Sequence, residues 1–128
     1  MPSSPKTKTD LIFTSECPWD NPYQGGDKRV LFVCSAGLLR SATGARIYSG
    51  VYNTRCAGSE DYALIPVSDS LILWSQQIVF VNKRNYESVK RKYDLSDHDV
   101  VVLDIPDMYN HMHPELIKSF EEQYEPIK

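Results

Sequence analysis

Apolar and polar positions follow one another in a strand–helix order along residues 29–124. Four short, almost continuous apolar runs predict strands that are buried on both faces of a sheet: Arg29–Val33, Asn53–Ala57, Gln77–Val81 and Asp99–Asp104. Residues suited to helix starts predict four helices between and after these strands: Ser41–Tyr52, Pro66–Trp74, Asn82–Tyr93 and Pro114–Tyr124. The alternation is typical of a doubly wound, three-layer α/β/α fold with a four-stranded parallel sheet.

The first 28 residues differ in composition from the remainder. They carry four of the eight prolines and the pair Gly25-Gly26, which are typical of turns and loops. We therefore predict a partly flexible N-terminal arm over residues 1–28 and one domain over residues 29–128. Apolar residues make up 41% of the 128 residues, which is enough for one packed core. The sequence shows neither the apolar core of a signal peptide nor a run of membrane-spanning length.

The net charge indicates which partners the protein binds, and the cysteine content indicates the cellular compartment. The 14 Lys and Arg against 17 Asp and Glu give a net charge of −3, which argues against nucleic-acid or membrane-surface binding. Three widely spaced cysteines favour reduced thiols and a cytoplasmic location over a disulfide framework. The three histidines and the cysteines lack the paired spacing of a zinc site, so no metal is predicted. We expect a monomer or a weak dimer.

The segment VLFVCSAGLLRS joins the first predicted strand to the first predicted helix. Such a loop presents several backbone N–H groups to one point, and the helix N-terminus adds partial positive charge, so the loop can bind an anion. Arg40 adds a guanidinium able to hold two phosphate oxygens, and Gly37 can adopt a positive φ. Cys34 begins this loop, and these groups together with the Ser41 hydroxyl favour its thiolate. The sequence therefore predicts a cysteine nucleophile beneath a bound phosphate.

A second polar segment, DIPDMY, follows the fourth predicted strand. Ligands of parallel α/β sheets bind beyond the carboxyl ends of the strands, so this segment and the cysteine loop are expected at one edge. A carboxyl group beside the bound phosphate can give a proton to the leaving oxygen and then take one from water. Asp104 and Asp107 both satisfy this condition, and the residues alone leave the choice open.

The two segments resemble the low-molecular-weight protein tyrosine phosphatase family. VLFVCSAGLLRS resembles its phosphate-binding loop (apolar strand, Cys, five residues, Arg, Ser), and DIPDMY resembles its Asp-Pro-Tyr loop. The stretch VVVLDIPDMYNHMHPELI is similar to a short bacterial and phage branch of predicted tyrosine phosphatases. The resemblance covers about residues 29–117. It implies a hydrolase of phosphotyrosine or a similar phosphomonoester, which works through a phosphocysteine and needs no cofactor.

The resemblance also implies a role for each matching residue. Cys34 would be the nucleophile, Arg40 would hold the phosphoryl oxygens and Ser41 would hydrogen-bond the thiolate. Asp107 matches the family's general acid, which favours it over Asp104, and Tyr109 matches the aromatic wall of the substrate cleft. The backbone of the loop would bind the substrate phosphate through these residues: Ser35, Ala36, Gly37, Leu38 and Leu39.

The chain departs from the family pattern at three places in this loop and helix. Gly37 stands where the family usually has an Asn that braces the loop, and Ala42 stands where the branch has Pro. Gly44-Ala45 stands where the branch has Ala-Glu, and Gly44 weakens a helix by up to ~1 kcal/mol relative to alanine. These changes predict a looser loop, with either slower chemistry or a divergent role as the consequence.

Two alternatives to phosphate-ester hydrolysis stay open. A phosphate-binding module without turnover is permitted by Gly37, although such a module needs neither a nucleophile nor an acid. An arsenate reductase of this fold would need further cysteines for disulfide exchange, and neither Cys17 nor Cys56 has the spacing of a redox pair with Cys34.

Overall fold

The computed structural model describes residues 28–37, 39–106, 108 and 111–125, and it contains one four-stranded sheet. The strands are β1 (Arg29–Cys34), β2 (Asn53–Gly58), β3 (Gln77–Phe80) and β4 (Asp99–Val102). Their spatial order is β2-β1-β3-β4, and every pairing is parallel. The predicted four-stranded parallel sheet is confirmed. The predicted arm lies outside the described residues, except for Lys28, and the domain boundary stays a prediction.

Four helices cover the two faces of the sheet: α1 (Arg40–Ile47), α2 (Asp69–Trp74), α3 (Lys83–Lys90) and α4 (Pro114–Gln123). One apolar cluster joins α1 and α4 to the sheet face that carries Phe32, and a second joins α2 and α3 to the opposite face through Leu31. The fold is therefore the predicted three-layer arrangement, with the segments that follow β1 and β4 at the carboxyl edge. None of the described helices is long and apolar enough to cross a membrane.

The residues predicted to begin each helix are confirmed for two helices and wrong for the other two. Asn82 caps α3 by accepting a hydrogen bond from the Arg84 N–H at 2.9 Å, and Pro114 opens α4. Ser41 does not cap α1, because the helix begins one residue earlier and Leu39 occupies the cap position. Pro66 lies outside α2: it forms a bridge with Gly58, and the cap is Ser68.

Several elements are also shorter than predicted. The first helix ends at Ile47, five residues before the predicted end, because the backbone after it forms tighter turns: the Ser49 N–H donates to the Arg46 carbonyl at 3.3 Å and the Val51 N–H to the Tyr48 carbonyl at 3.0 Å. The third helix ends at Lys90, and the last two strands stop one and two residues early.

Close packing between α1, α4 and β1 sets the position of the first helix. The Phe32 ring stacks on Tyr48 with centroids 5.8 Å apart and meets Phe120 edge-on at 5.9 Å. A Cβ added at Gly44 would lie 2.6 Å from Phe32 and 2.9 Å from Phe120. The absence of a side chain at Gly44 thus lets the two rings approach α1. From the sequence alone, Gly44 was expected only to weaken the helix.

Candidate active site

Cys34 is the last residue of β1 and opens the loop of residues 34–40, called here the Cys34 loop, of which Leu38 is outside the described residues. Its side chain is buried, with 3% of its surface exposed. Ser41 Oγ lies 3.1 Å from the sulfur, and the Gly37 N–H donates to the sulfur at 3.2 Å. The structure therefore brings three of the predicted site residues together around Sγ.

Gly37 has a backbone conformation that a residue with a side chain rarely adopts. Its φ is +74°, and an added Cβ would lie 2.9 Å from both the Ala57 carbonyl carbon and the Gly58 nitrogen. The end of β2 therefore presses directly on the Cys34 loop at this point. The Asn side chain expected from the family resemblance has no room here, so any brace for the loop must come from elsewhere.

Arg40 links the Cys34 loop to the segment after β4. It is the first residue of α1, is 3% exposed, and donates from Nη1 to the Ile105 carbonyl at 3.0 Å. The two segments that the sequence places at one edge of the sheet are thus in direct contact. The guanidinium and the N-terminus of α1 concentrate positive potential around the loop, as an anion site requires.

Of the two candidate acids and the predicted aromatic wall of the cleft, the structure describes only Asp104. Asp104 is exposed, and its backbone exchanges two hydrogen bonds with the Gln123 side-chain amide, at 2.6 and 2.9 Å. Asp107 and Tyr109 lie outside the described residues, so their roles stay predictions. Ala36 is half-buried and Leu39 is 39% exposed at the helix entrance.

The segment after β4 is fastened to α1 at a second point that sequence reasoning missed. Thr43, fully buried in α1, accepts a hydrogen bond on Oγ1 from the Met112 N–H at 2.8 Å. Met112 has a φ of +62°, which such a contact can help to hold. Arg40 and Thr43 therefore hold the segment at Ile105 and at Met112.

A polar network on the other side of the Cys34 loop was also missed. Asn85, in α3, donates from Nδ2 to Ser35 Oγ at 3.1 Å and to Ser59 Oγ at 3.0 Å. The backbone N–H groups of Ser59 and Glu60 donate to the carbonyls of Cys34 at 2.7 Å and Ser35 at 3.2 Å. One feature of the sequence could have indicated this network: α3 starts directly after β3, a central strand, and therefore at the same edge of the sheet as the loop.

Cys56 lies on β2 beneath the loop, with its sulfur 3.9 Å from the Gly37 carbonyl oxygen. Burial raises the pKa of the Cys56 thiol, and the neighbouring Cys34 raises it further. Cys56 is therefore held as a neutral thiol. Within the described part of the chain, no three histidine, cysteine, aspartate or glutamate side chains are grouped as metal ligands would be.

Comparisons with known proteins identify the fold. No protein-family model matches the chain, and no curated protein matches it significantly. The structure is similar to a low molecular weight protein tyrosine phosphatase from Streptococcus pyogenes, with a TM-score of 0.57 and 16% identity over 77% of this chain and 84% of that one. The corresponding phosphatase from Campylobacter jejuni gives a TM-score of 0.50 and 15% identity over 77% and 86%.

A third similar structure has another activity. The thioredoxin-dependent arsenate reductase of Corynebacterium glutamicum gives a TM-score of 0.50 and 16% identity over 74% of this chain and 55% of that one. At these identities the similarities concern the fold alone. The chain has the fold of low molecular weight protein tyrosine phosphatases, as its sequence resemblance implied.

Proposed function

We propose that this protein is a cysteine-dependent phosphomonoester hydrolase of the protein tyrosine phosphatase type. The observation that carries the proposal is the convergence on Cys34 Sγ of the Ser41 hydroxyl, at 3.1 Å, and the Gly37 N–H, at 3.2 Å. Both groups can donate to a sulfur anion: Gly37 belongs to the loop, and Ser41 lies in the first turn of the helix that follows it. A thiolate held in this way is a nucleophile.

The first chemical step transfers the phosphoryl group to sulfur. The Cys34 thiolate attacks phosphorus from the side opposite the ester oxygen, so an S–P bond forms while the P–O bond breaks. Asp107, the acid implied by the sequence resemblance, gives its proton to the departing oxygen. Arg40 and the amides of the Cys34 loop stabilise the charge on the three equatorial oxygens.

The second step hydrolyses the phosphocysteine. Water attacks phosphorus while the Asp107 carboxylate takes its proton, and the S–P bond breaks to release inorganic phosphate and the thiolate. The Ser41 hydroxyl, placed against the sulfur, stabilises the thiolate as it leaves. The cycle returns both groups to their starting protonation states.

Among the residues that the structure describes, which do not include Cys17, the geometry supports hydrolysis more than arsenate reduction. Disulfide exchange needs a second thiol that can be deprotonated and reached. Cys56 is buried, and that burial raises the pKa of its thiol, so it is a poor partner for such an exchange. A free thiolate at Cys34 also suits a reducing compartment, and we place the protein in the cytoplasm.

Hydrolysis of p-nitrophenyl phosphate by the wild type and by Cys34→Ser tests the proposal. We expect turnover by the wild type and loss of turnover in the variant, with no requirement for added metal. Phosphotyrosine and phosphoserine peptides then define the substrate, and faster hydrolysis of the aryl ester is expected. If the wild type shows no turnover while phosphate still raises its melting temperature, the protein is a phosphate-binding module instead.

A further inference from the structure

At Gly37 the Cys34 loop has no side-chain brace, and a buried amide on another helix contacts the loop from outside. Gly37 has no side chain, and the end of β2 excludes one. Asn85, 1% exposed near the start of α3, donates both to Ser35 Oγ in the loop and to Ser59 Oγ after β2. We propose that Asn85 is a positioning residue, which sets the conformation of the Cys34 loop for phosphate binding; this inference rests on the proposed function.

The two hydrogen bonds of Asn85 fix Ser35 relative to the rest of the sheet edge. Ser59 is 5% exposed, and its backbone N–H donates to the carbonyl of Cys34 at 2.7 Å. Ser59 is thus held by the strand end that carries the nucleophile. The Asn85 amide joins this fixed point to the first side chain of the loop, so Ser35 is held from both its backbone and its hydroxyl.

The Asn85 side chain is not arranged for stability alone. Its Oδ1 is buried and has no hydrogen-bond partner among the residues that the structure describes. A buried carbonyl without a partner destabilises a folded protein, and such groups are rare in native structures. The amide nevertheless uses Nδ2 for both serines, which is the arrangement expected where the orientation of Ser35 matters.

Orientation of Ser35 matters because the loop binds phosphate through its backbone. The Gly37 N–H donates to Cys34 Sγ, so this peptide group of the loop already faces the sulfur. A loop free to turn its N–H groups outward would lose hydrogen bonds to the phosphoryl oxygens without any loss of the nucleophile. Asn85 therefore acts on phosphate through Ser35 and touches no reacting atom.

A double-mutant cycle between Asn85→Ala and Ser35→Ala tests this role. The readouts are kcat and KM for p-nitrophenyl phosphate, and the inorganic phosphate concentration that half-protects Cys34 from iodoacetamide. We expect Asn85→Ala to raise that concentration roughly 3- to 10-fold, the effect of losing ordinary hydrogen bonds. The double variant is expected to show no further increase over Asn85→Ala, because Asn85→Ala already removes the contact with Ser35.

Ser75→Ala is the matched control. Ser75 is 5% exposed at the end of α2, and its hydroxyl donates to the Ile72 carbonyl at 3.0 Å rather than to the Cys34 loop or its network. We expect its phosphate protection and kcat/KM to stay within about 2-fold of the wild type, with melting temperatures measured for all variants. If Asn85→Ala does not fold, Ser35→Ala removes the same hydrogen bond from the loop side and is expected to show the same loss of protection.

The inference is overturned if Asn85→Ala or Ser35→Ala leaves phosphate protection unchanged, if the two effects multiply, or if Ser75→Ala weakens protection as much. Failure of the proposed function gives a different result. A wild type that is protected by phosphate but does not turn over substrate refutes the hydrolase, while the protection data still decide the role of Asn85.

Discussion

Ser41 Oγ lies 3.1 Å from Cys34 Sγ, and both side chains are buried at the junction of β1 and α1. Ser41 is in the first turn of α1 but does not cap it, so its hydroxyl is available to the sulfur. This contact connects the strand that carries the nucleophile with the helix whose N-terminus faces the predicted phosphate. It also identifies which chemical step a substitution of Ser41 should change.

Ser41→Ala is expected to slow breakdown of the phosphocysteine more than its formation. A hydrogen bond to a charged group contributes about 1.5–3 kcal/mol, so the second step should slow roughly 10- to 100-fold. Rapid-quench kinetics with p-nitrophenyl phosphate should then show a burst of p-nitrophenol, and intact mass spectrometry should show accumulated phosphoenzyme. Steady turnover at the wild-type rate, without a burst, would contradict the role given to Ser41.

Asp107→Asn should reduce turnover by roughly 10²–10⁴-fold if Asp107 is the general acid. The loss should be larger for phenyl phosphate than for p-nitrophenyl phosphate, because the better leaving group needs less protonation. Asp104→Asn is the control, since the structure shows the Asp104 backbone held by Gln123 and its side chain exposed. The opposite result, with activity lost only in Asp104→Asn, would transfer the acid role to Asp104.

Gly37→Ala is expected to lower both stability and phosphate binding. A side chain at φ +74° costs about 1–2 kcal/mol, and the added Cβ would also meet the backbone of Ala57 and Gly58 at 2.9 Å. Gly50→Ala is the control, because an added Cβ there meets nothing within 4 Å. Melting temperatures with and without phosphate measure both effects. A Gly37→Ala protein with wild-type stability and phosphate response would show that the loop tolerates a side chain at this position.

Gly44→Ala should destabilise the protein even though alanine favours helices. The helix gain is at most ~1 kcal/mol. The methyl group would stand 2.6 Å from Phe32 and 2.9 Å from Phe120, and overpacking of this kind typically costs about 1–3 kcal/mol. Urea unfolding should give a lower midpoint for Gly44→Ala than for Gly50→Ala. A higher midpoint would mean that the rings move aside without loss.

The sequence predicts the helices and strands because the signals for them are local. It does not predict contacts between residues that are far apart along the chain. Asn82 and Pro114 mark helix starts through their own side chains, and the start of each strand was correct. Ser41 was misassigned as a cap because the same hydroxyl fits either a cap or the sulfur, and only the fold decides. The partners of Asn85 lie 50 and 26 residues away and the partner of Thr43 lies 69 residues away, beyond the reach of any pattern along the chain.

That Cys34 and Arg40 lie at one site could be predicted for a related reason. A strand end, a loop and a helix N-terminus form one continuous segment, so the residues that carry the chemistry are close in sequence as well as in space. The brace around that segment is assembled from α3 and from the residues after β2, and its members carry no motif. The sequence alone therefore indicates that Cys34, Arg40 and Ser41 lie at one site, and no motif in it identifies the residues in α3 and after β2 that contact the loop.

Protonation of His111 should weaken the fold as the pH falls. Burial lowers the pKa of His111 below 6.5, the positive charge of Arg46 lowers it further, and a hydrogen bond with the Ala42 backbone acts in the opposite sense. Because the unfolded chain binds a proton at a higher pH than the folded chain does, stability is full above about 6.5 and declines below it. Urea unfolding from pH 8 to pH 5 should show this decline in the wild type and a smaller one in His111→Gln. Equal slopes for the two proteins would assign the pH dependence to other groups.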